Sequence, residues 1–186
     1  MQYIKTNRLC NKKKLVCVFN GDIDRAAQYY TRSLQYPGEG ESSLSTGSIL
    51  GTFADGLIAF TQAQKHDIDE EQWTNIAGRV IATFSMWVEH SSWNFSHKLS
   101  LLEAEDNVLK GNDVLAVEKY NLSITTARKH RYVHEEGLGL ERAGDYHIRM
   151  GRTKTAVVCY SSAKECFERW GACAVADRMA EKCRRF

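Results

Sequence analysis

One proline, Pro37, stands in a chain of 186 residues, so the strongest breaker of long helices is almost missing. Sustained β-branched runs are missing too, while Ala, Leu, Glu, Lys and Arg are plentiful, a balance that favours helix over strand. Neither sign of charge is in excess. Twenty-five Lys and Arg oppose 23 Asp and Glu, for a formal net charge of +2, which gives no general argument for nucleic acid or for an acidic membrane surface. No apolar run approaches the length of a bilayer span, and the opening stretch MQYIKTNRLCNKKKLVCVF carries charges where a signal peptide needs an apolar core. A cytoplasmic location is expected on that ground. The common catalytic signatures are absent as well: there is no Gly-x4-Gly-Lys-Ser/Thr phosphate loop, no Gly-x-Ser-x-Gly elbow and no His-Arg-Asp stretch. The six cysteines fall at helix-like spacings such as Cys10/Cys17 and Cys159/Cys166 without secretory context, and are expected to be free and mostly buried.

What the chain does have is a repeat. The spacing Gly-x4-Ala-x3-Tyr occurs three times, as Gly21/Ala26/Tyr30, Gly111/Ala116/Tyr120 and Gly151/Ala156/Tyr160, the last two separated by a shift of forty residues. Ala156, Tyr160, Ala163 and Phe167 continue at steps of four, three and four, one face of a helix. Small residues on that face admit a neighbouring helix closely and the aromatics fill the space beside them. The glycine five residues earlier ends the preceding helix or makes the turn.

Upstream, Leu140-x2-Ala143-Gly144-x2-His147 resembles the Trp-x2-Leu-Gly-x2-Tyr of a tetratricopeptide repeat, and Gly144 precedes Ala156 by twelve, as in that motif. Residues 138–168 therefore read as a helix-turn-helix of that kind. The shift of forty exceeds the 34 residues of the tetratricopeptide unit, and the closing proline is missing from the later copies.

In chain order, helices are expected over 3–18 and 22–35, then a polar break over 36–46, YPGEGESSLST, then a helix over 47–65. The next begins at Glu70 and Glu71, acids in a first turn where the helix dipole favours them, and runs with Trp73, Ile76, Val80, Phe84 and Trp87 on one side. Five more follow: one beginning near Asn94, the second repeat helix to about Lys129, one carrying Leu140, one carrying Ala156 and a terminal one from Ala172. The fold class this predicts is all-α: an α-solenoid of antiparallel helical hairpins, tetratricopeptide-like. A single domain over 1–186 is expected, with a possible break at 36–46 and the clearest repeats over 94–186.

Few residues invite a chemical reading. His130 and His134, with Glu135 and Glu136, have the four-residue spacing of helical zinc ligands. The glutamates lie outside that spacing, however, and Arg131-Tyr132 sits at an expected turn, so a solvated turn with helix-start acids is preferred. His97, in Ser96-His97-Lys98-Leu99, reads as a helix-surface histidine. The tryptophans and tyrosines fall at helical spacing, which favours core packing over a base-stacking platform. The short basic ends, Lys12–Lys14 and Arg178 with Lys182, Arg184 and Arg185, complement helix dipoles without any ligand.

Several stretches carry a resemblance. Ser92-Trp-Asn-Phe-Ser-His-Lys-Leu-Ser-Leu-Leu-Glu-Ala-Glu105, Lys110-Gly111, Ala116, Tyr120 to Ala127, His134-Glu-Glu136 and Glu168-Arg-Trp-Gly-Ala172 resemble the helical-repeat region of large multidomain sensor kinases. Those proteins join a Ser/Thr-kinase-like domain, an AAA-type ATPase domain, the helical repeats, a GAF domain and often a histidine kinase. Phe53–Phe60 and Trp73–Trp87 are similar to the hairpin just upstream in that region. The resemblance implies a non-catalytic scaffold or protein-interaction segment of a signal-transduction kinase, read as a fragment of a longer product. It implies no enzyme activity, cofactor, metal or small-molecule ligand, and a protein partner or flanking signalling domains in place of nucleic acid or membrane. The repeat-defining residues are then Gly111, Ala116, Tyr120, Gly144, Gly151, Ala156, Tyr160, Trp170 and Gly171. A helical metal-dependent hydrolase using His130 and His134 is the alternative.

Overall fold

The computed structural model of the protein describes residues 2–35, 46–65 and 69–186. The expected break at 36–46 lies outside the described residues but for its last position. Among the described residues there are helices and no strands: α1 (Gln2–Phe19), α2 (Ile23–Leu34), α3 (Thr46–Ala63), α4 (Glu70–His90), α5 (Ser92–Leu109), α6 (Asp113–Lys129), α7 (Val133–Arg149), α8 (Thr153–Trp170) and α9 (Cys173–Arg184). The all-α expectation holds. No helix among the described residues is long and apolar enough to cross a membrane. The chain divides into two compact units, Met1–Thr83 and Phe84–Phe186.

In the first unit α1 packs on α2 and α3, and α2 on α3. Cys17, Val18, Phe19, Ala26, Phe53, Leu57, Ile58 and Phe60 form its core. Lys14 is buried among them, where its ammonium bonds Asp55 and sits 5.3 Å from the ring centre of Tyr30. The first repeat tyrosine is thus fixed beside a buried ion pair.

In the second unit each helix from α5 to α9 packs on the next, and α5 also touches α7. One turn joins them four times over. At Gly111, Gly151 and Gly171 the backbone φ is +71°, +69° and +84°, the left-handed region that glycine enters at no steric cost. The following residue closes a six-residue loop back to the helix: Asn112 N–H donates to Asn107 O (2.8 Å), Arg152 to His147 O (2.8 Å) and Ala172 to Phe167 O (2.9 Å). That residue also precedes the first turn of the next helix, so a Schellman ending and a helix start share three residues. Tyr132 donates to Ala127 O in the same way (2.9 Å), and here the left-handed residue is Arg131, φ +63°. The Gly21 turn in the first unit has the same bonds, with Asp22 N–H on Cys17 O. Turns at 111, 131, 151 and 171 make the helix period twenty residues, and two helices account for the forty-residue shift.

The repeat positions sit where their chemistry requires. Ala116 and Ala156 are fully buried and Tyr120 and Tyr160 nearly so. Gly144 lies under the Tyr160 ring, and Ala104 is buried at the corresponding place one unit earlier. Helix α7 carries three glycines because its neighbours crowd it: a methyl group would meet Cys166 and Phe167 at 3.1 Å from Gly137, and Ile124 at 3.2 Å from Gly139. Each such glycine costs helix propensity of about 1 kcal/mol relative to alanine. The close approach of α6 and α8 offsets it through burial.

Candidate functional site

Polar side chains in the second unit form a ladder between odd-numbered helices. Glu105 on α5 accepts from Arg142 on α7 (2.7 Å) and from the hydroxyl of Tyr120 (2.8 Å). Forty residues on, Asp145 on α7 accepts from Lys182 on α9 (2.6 Å) and from the hydroxyl of Tyr160 (2.7 Å). Glu141 on α7 takes Arg178 and Lys182 of α9, the latter at 2.9 Å. Burial alone would push the Glu105 and Glu141 carboxyls up, but the cations facing them outweigh it and hold both below the ordinary value. Burial and Asp145 push the Tyr160 hydroxyl far above its ordinary value, so it stays a donor. These groups bond one another and fix the helices. They do not converge on an open cavity.

The other cluster lies where α5 begins, α6 turns into α7 and α8 ends. Glu135, in the first turn of α7, is buried against His97 and accepts from Lys98 Nζ at 2.7 Å. Lys98 also donates to Asn94 O (3.1 Å) and sits 4.9 Å from the ring centre of Tyr132, on which His97 is stacked. Ser123 on α6 donates to the His97 carbonyl at 2.7 Å. Burial would raise the Glu135 carboxyl, yet hydrogen bonds from His134 and His97 and the charge of Lys98 hold it well below the usual carboxylate range. Burial lowers the His97 imidazole, against the pull of Glu135. Its Nδ1 is buried without a hydrogen-bond partner among the described residues.

Above this cluster two aromatic pairs face solvent. Trp93, 56% exposed, is stacked on His130 at 3.8 Å between ring centres, and His130 Nδ1–H donates to the Trp93 carbonyl. Trp170, 46% exposed, is stacked on His134 at 4.9 Å. The forty-residue shift carries His130 onto Trp170 but Trp93 onto Val133, next to His134, so each hairpin carries an aromatic pair, with one partner displaced by a residue. Arg128 and Arg169 flank the pairs and share Glu136, at 2.8 and 3.5 Å.

Three expectations change here. His97 is a core residue and not a helix-surface one, because Tyr132, Ser123 and Glu135 close over it. Glu135 and Glu136 are the helix-start acids expected, in the first turn of α7, but they are buried and ion-paired and not solvated. Trp93 and Trp170, read as core from their spacing, are surface residues at helix ends. His130 and His134 belong to different aromatic pairs, and no group of three or more His, Cys, Asp or Glu side chains that could hold a metal occurs among the described residues. The expected turn at Arg131-Tyr132 is present, but sequence reading gave no sign that Arg131 itself holds the left-handed position, midway between Gly111 and Gly151. In the first unit, an open groove beside Tyr30, Leu34, Ile76 and Arg79 presents mixed polar and apolar side chains.

No protein-family model, curated protein or solved structure matches the chain.

Proposed function

We propose that the chain is a non-catalytic, tetratricopeptide-like α-solenoid segment that scaffolds or docks proteins in signal transduction, of the kind found between the catalytic domains of multidomain sensor kinases. The observation that carries the reading is the recurrence of one unit: Tyr120 on Glu105 and Tyr160 on Asp145, the same bond at the same offset of fifteen residues. Stacked hairpins of this kind bury a core between neighbours and leave an extended surface for a partner. The ionised side chains support the same reading, since the buried carboxylates of Glu105, Glu135 and Glu141 are each taken up by cations or histidines of neighbouring helices. The hydrolase alternative draws no support from the geometry, because His130 and His134 are engaged with Trp93 and Trp170.

The test is a binding titration of the purified chain with recombinant AAA-type ATPase and GAF domains of a multidomain sensor kinase, run beside an assay for ATP hydrolysis with and without zinc. Saturable binding to one of those domains without turnover is the expected result. Zinc-dependent turnover lost in His134→Ala, or binding to neither domain, contradicts it.

A further inference from the structure

The turn between α6 and α7 differs from its four counterparts. Gly21, Gly111, Gly151 and Gly171 hold the left-handed position elsewhere, and here an arginine does. An L side chain in that conformation is strained, and strain of this sort persists only where something else favours the residue. Arg131 is exposed, stands in the chain between His130 of one stacked pair and His134 of the other, and makes no ion pair among the described residues. Around it the charge is unequal. Arg128 and Arg169 share the single carboxylate of Glu136, Glu135 is taken by Lys98 and His97 below, Glu168 is bonded to Lys164, and Lys129 adds a further cation. Solvent-facing Trp, His and Arg side chains in one patch are also the residues that anchor protein interfaces.

From these observations we infer that this aromatic and basic ledge docks an extended acidic segment of a protein partner, with Arg131 as its central cation. The inference rests on the interaction-segment reading and names its docking face. Because the aromatic pairs recur once per hairpin, the partner's backbone runs across the helix ends from Trp93 to Trp170. Its carboxylates meet Arg131 and the outward faces of Arg128 and Arg169, and its apolar groups cover the indoles. The interaction-segment reading and the apolar indoles beside the cations make the occupant an acidic peptide, and a polynucleotide is the outcome that the RNA arm of the test detects.

Arg131→Gly separates this role from a structural one, since it removes the cation while relieving the backbone. Binding of fluorescein-labelled decaglutamate to the whole chain is followed by anisotropy at low salt, beside thermal unfolding. The expected result is saturable binding that weakens about tenfold in Arg131→Gly while its melting temperature rises. Trp170→Ala weakens it likewise, and Lys154→Ala, at the opposite end of α8, leaves it unchanged. Decaglutamate binding that is absent, or indifferent to Arg131→Gly, overturns the ledge. So does a decauridylate RNA that binds as tightly as decaglutamate. If the sensor-kinase domains still bind in those cases, the ledge alone fails and the interaction reading stands.

Discussion

Gly144 lies so close beneath the ring of Tyr160 that a methyl group on its α-carbon would stand 2.6 Å from Cε1 and 2.8 Å from Cδ1. The ring has nowhere to go. Its hydroxyl is bonded to Asp145 and its body is buried between α7 and α8. Gly144→Ala should therefore lower stability to urea by about 1–3 kcal/mol, the usual cost of overpacking a fixed core. Gly78, in the middle of α4 with open space around its α-carbon, gives the opposite sign. Gly78→Ala should stabilise by about 0.5–1 kcal/mol through helix propensity alone.

Glu105 is fully buried and is bonded to Arg142, which is only slightly exposed. Glu105→Ala takes a carboxylate from Arg142 and the acceptor from Tyr120, and should cost about 3–5 kcal/mol in urea unfolding. Replacing both at once, as Glu105→Leu with Arg142→Met, should restore most of that loss, because an apolar pair needs no partner in water.

The pH dependence follows from His97 and Glu135. Both are held below their ordinary values of 6.5 and 4.5 in the folded chain, so the unfolded chain binds more protons as pH falls past each value. Stability is then present above those values and is lost on acidification. The first loss should begin near pH 6.5 from His97, as a proton arrives at an Nδ1 with no acceptor, on a ring whose Nε2 lies 3.1 Å from Lys98 Nζ. The second should begin near pH 4.5 from Glu135, joined by Glu105 and Glu141, whose carboxyls are also held low. Urea unfolding from pH 8 to 4 checks this. His97→Gln should flatten the curve above pH 5 and leave the lower step in place.

The hairpins were legible in the sequence because glycine, alanine and tyrosine each answer to a local rule: a turn that needs positive φ, a helix contact that needs a small residue, a gap that needs a ring. The ladder was not. Arg142 pairs with Glu105 and Lys182 with Asp145 at a separation of 37 residues, between helices two apart, and no short periodicity marks such partners. The candidate site was hidden for a related reason. Trp93 and Trp170 stand at helix ends, where heptad-like spacing no longer says which side faces the core, and the burial of His97 depends on Tyr132 and Glu135 from another element. The turn at Arg131-Tyr132 was legible, but its left-handed residue was not, because the glycine that marks the other turns is absent there.

The equivalence of the two hairpins is tested most directly by a pair of double-mutant cycles in urea unfolding, Tyr120→Phe with Glu105→Gln and Tyr160→Phe with Asp145→Asn. Both hydroxyls donate to a carboxylate, at 2.8 and 2.7 Å. Each cycle should give a favourable coupling of about 1.5–3 kcal/mol, as for a hydrogen bond to a charged group, with the part-buried Tyr160 pair at the lower end. A coupling in one cycle and none in the other would contradict the account, since the two units would then not be built alike.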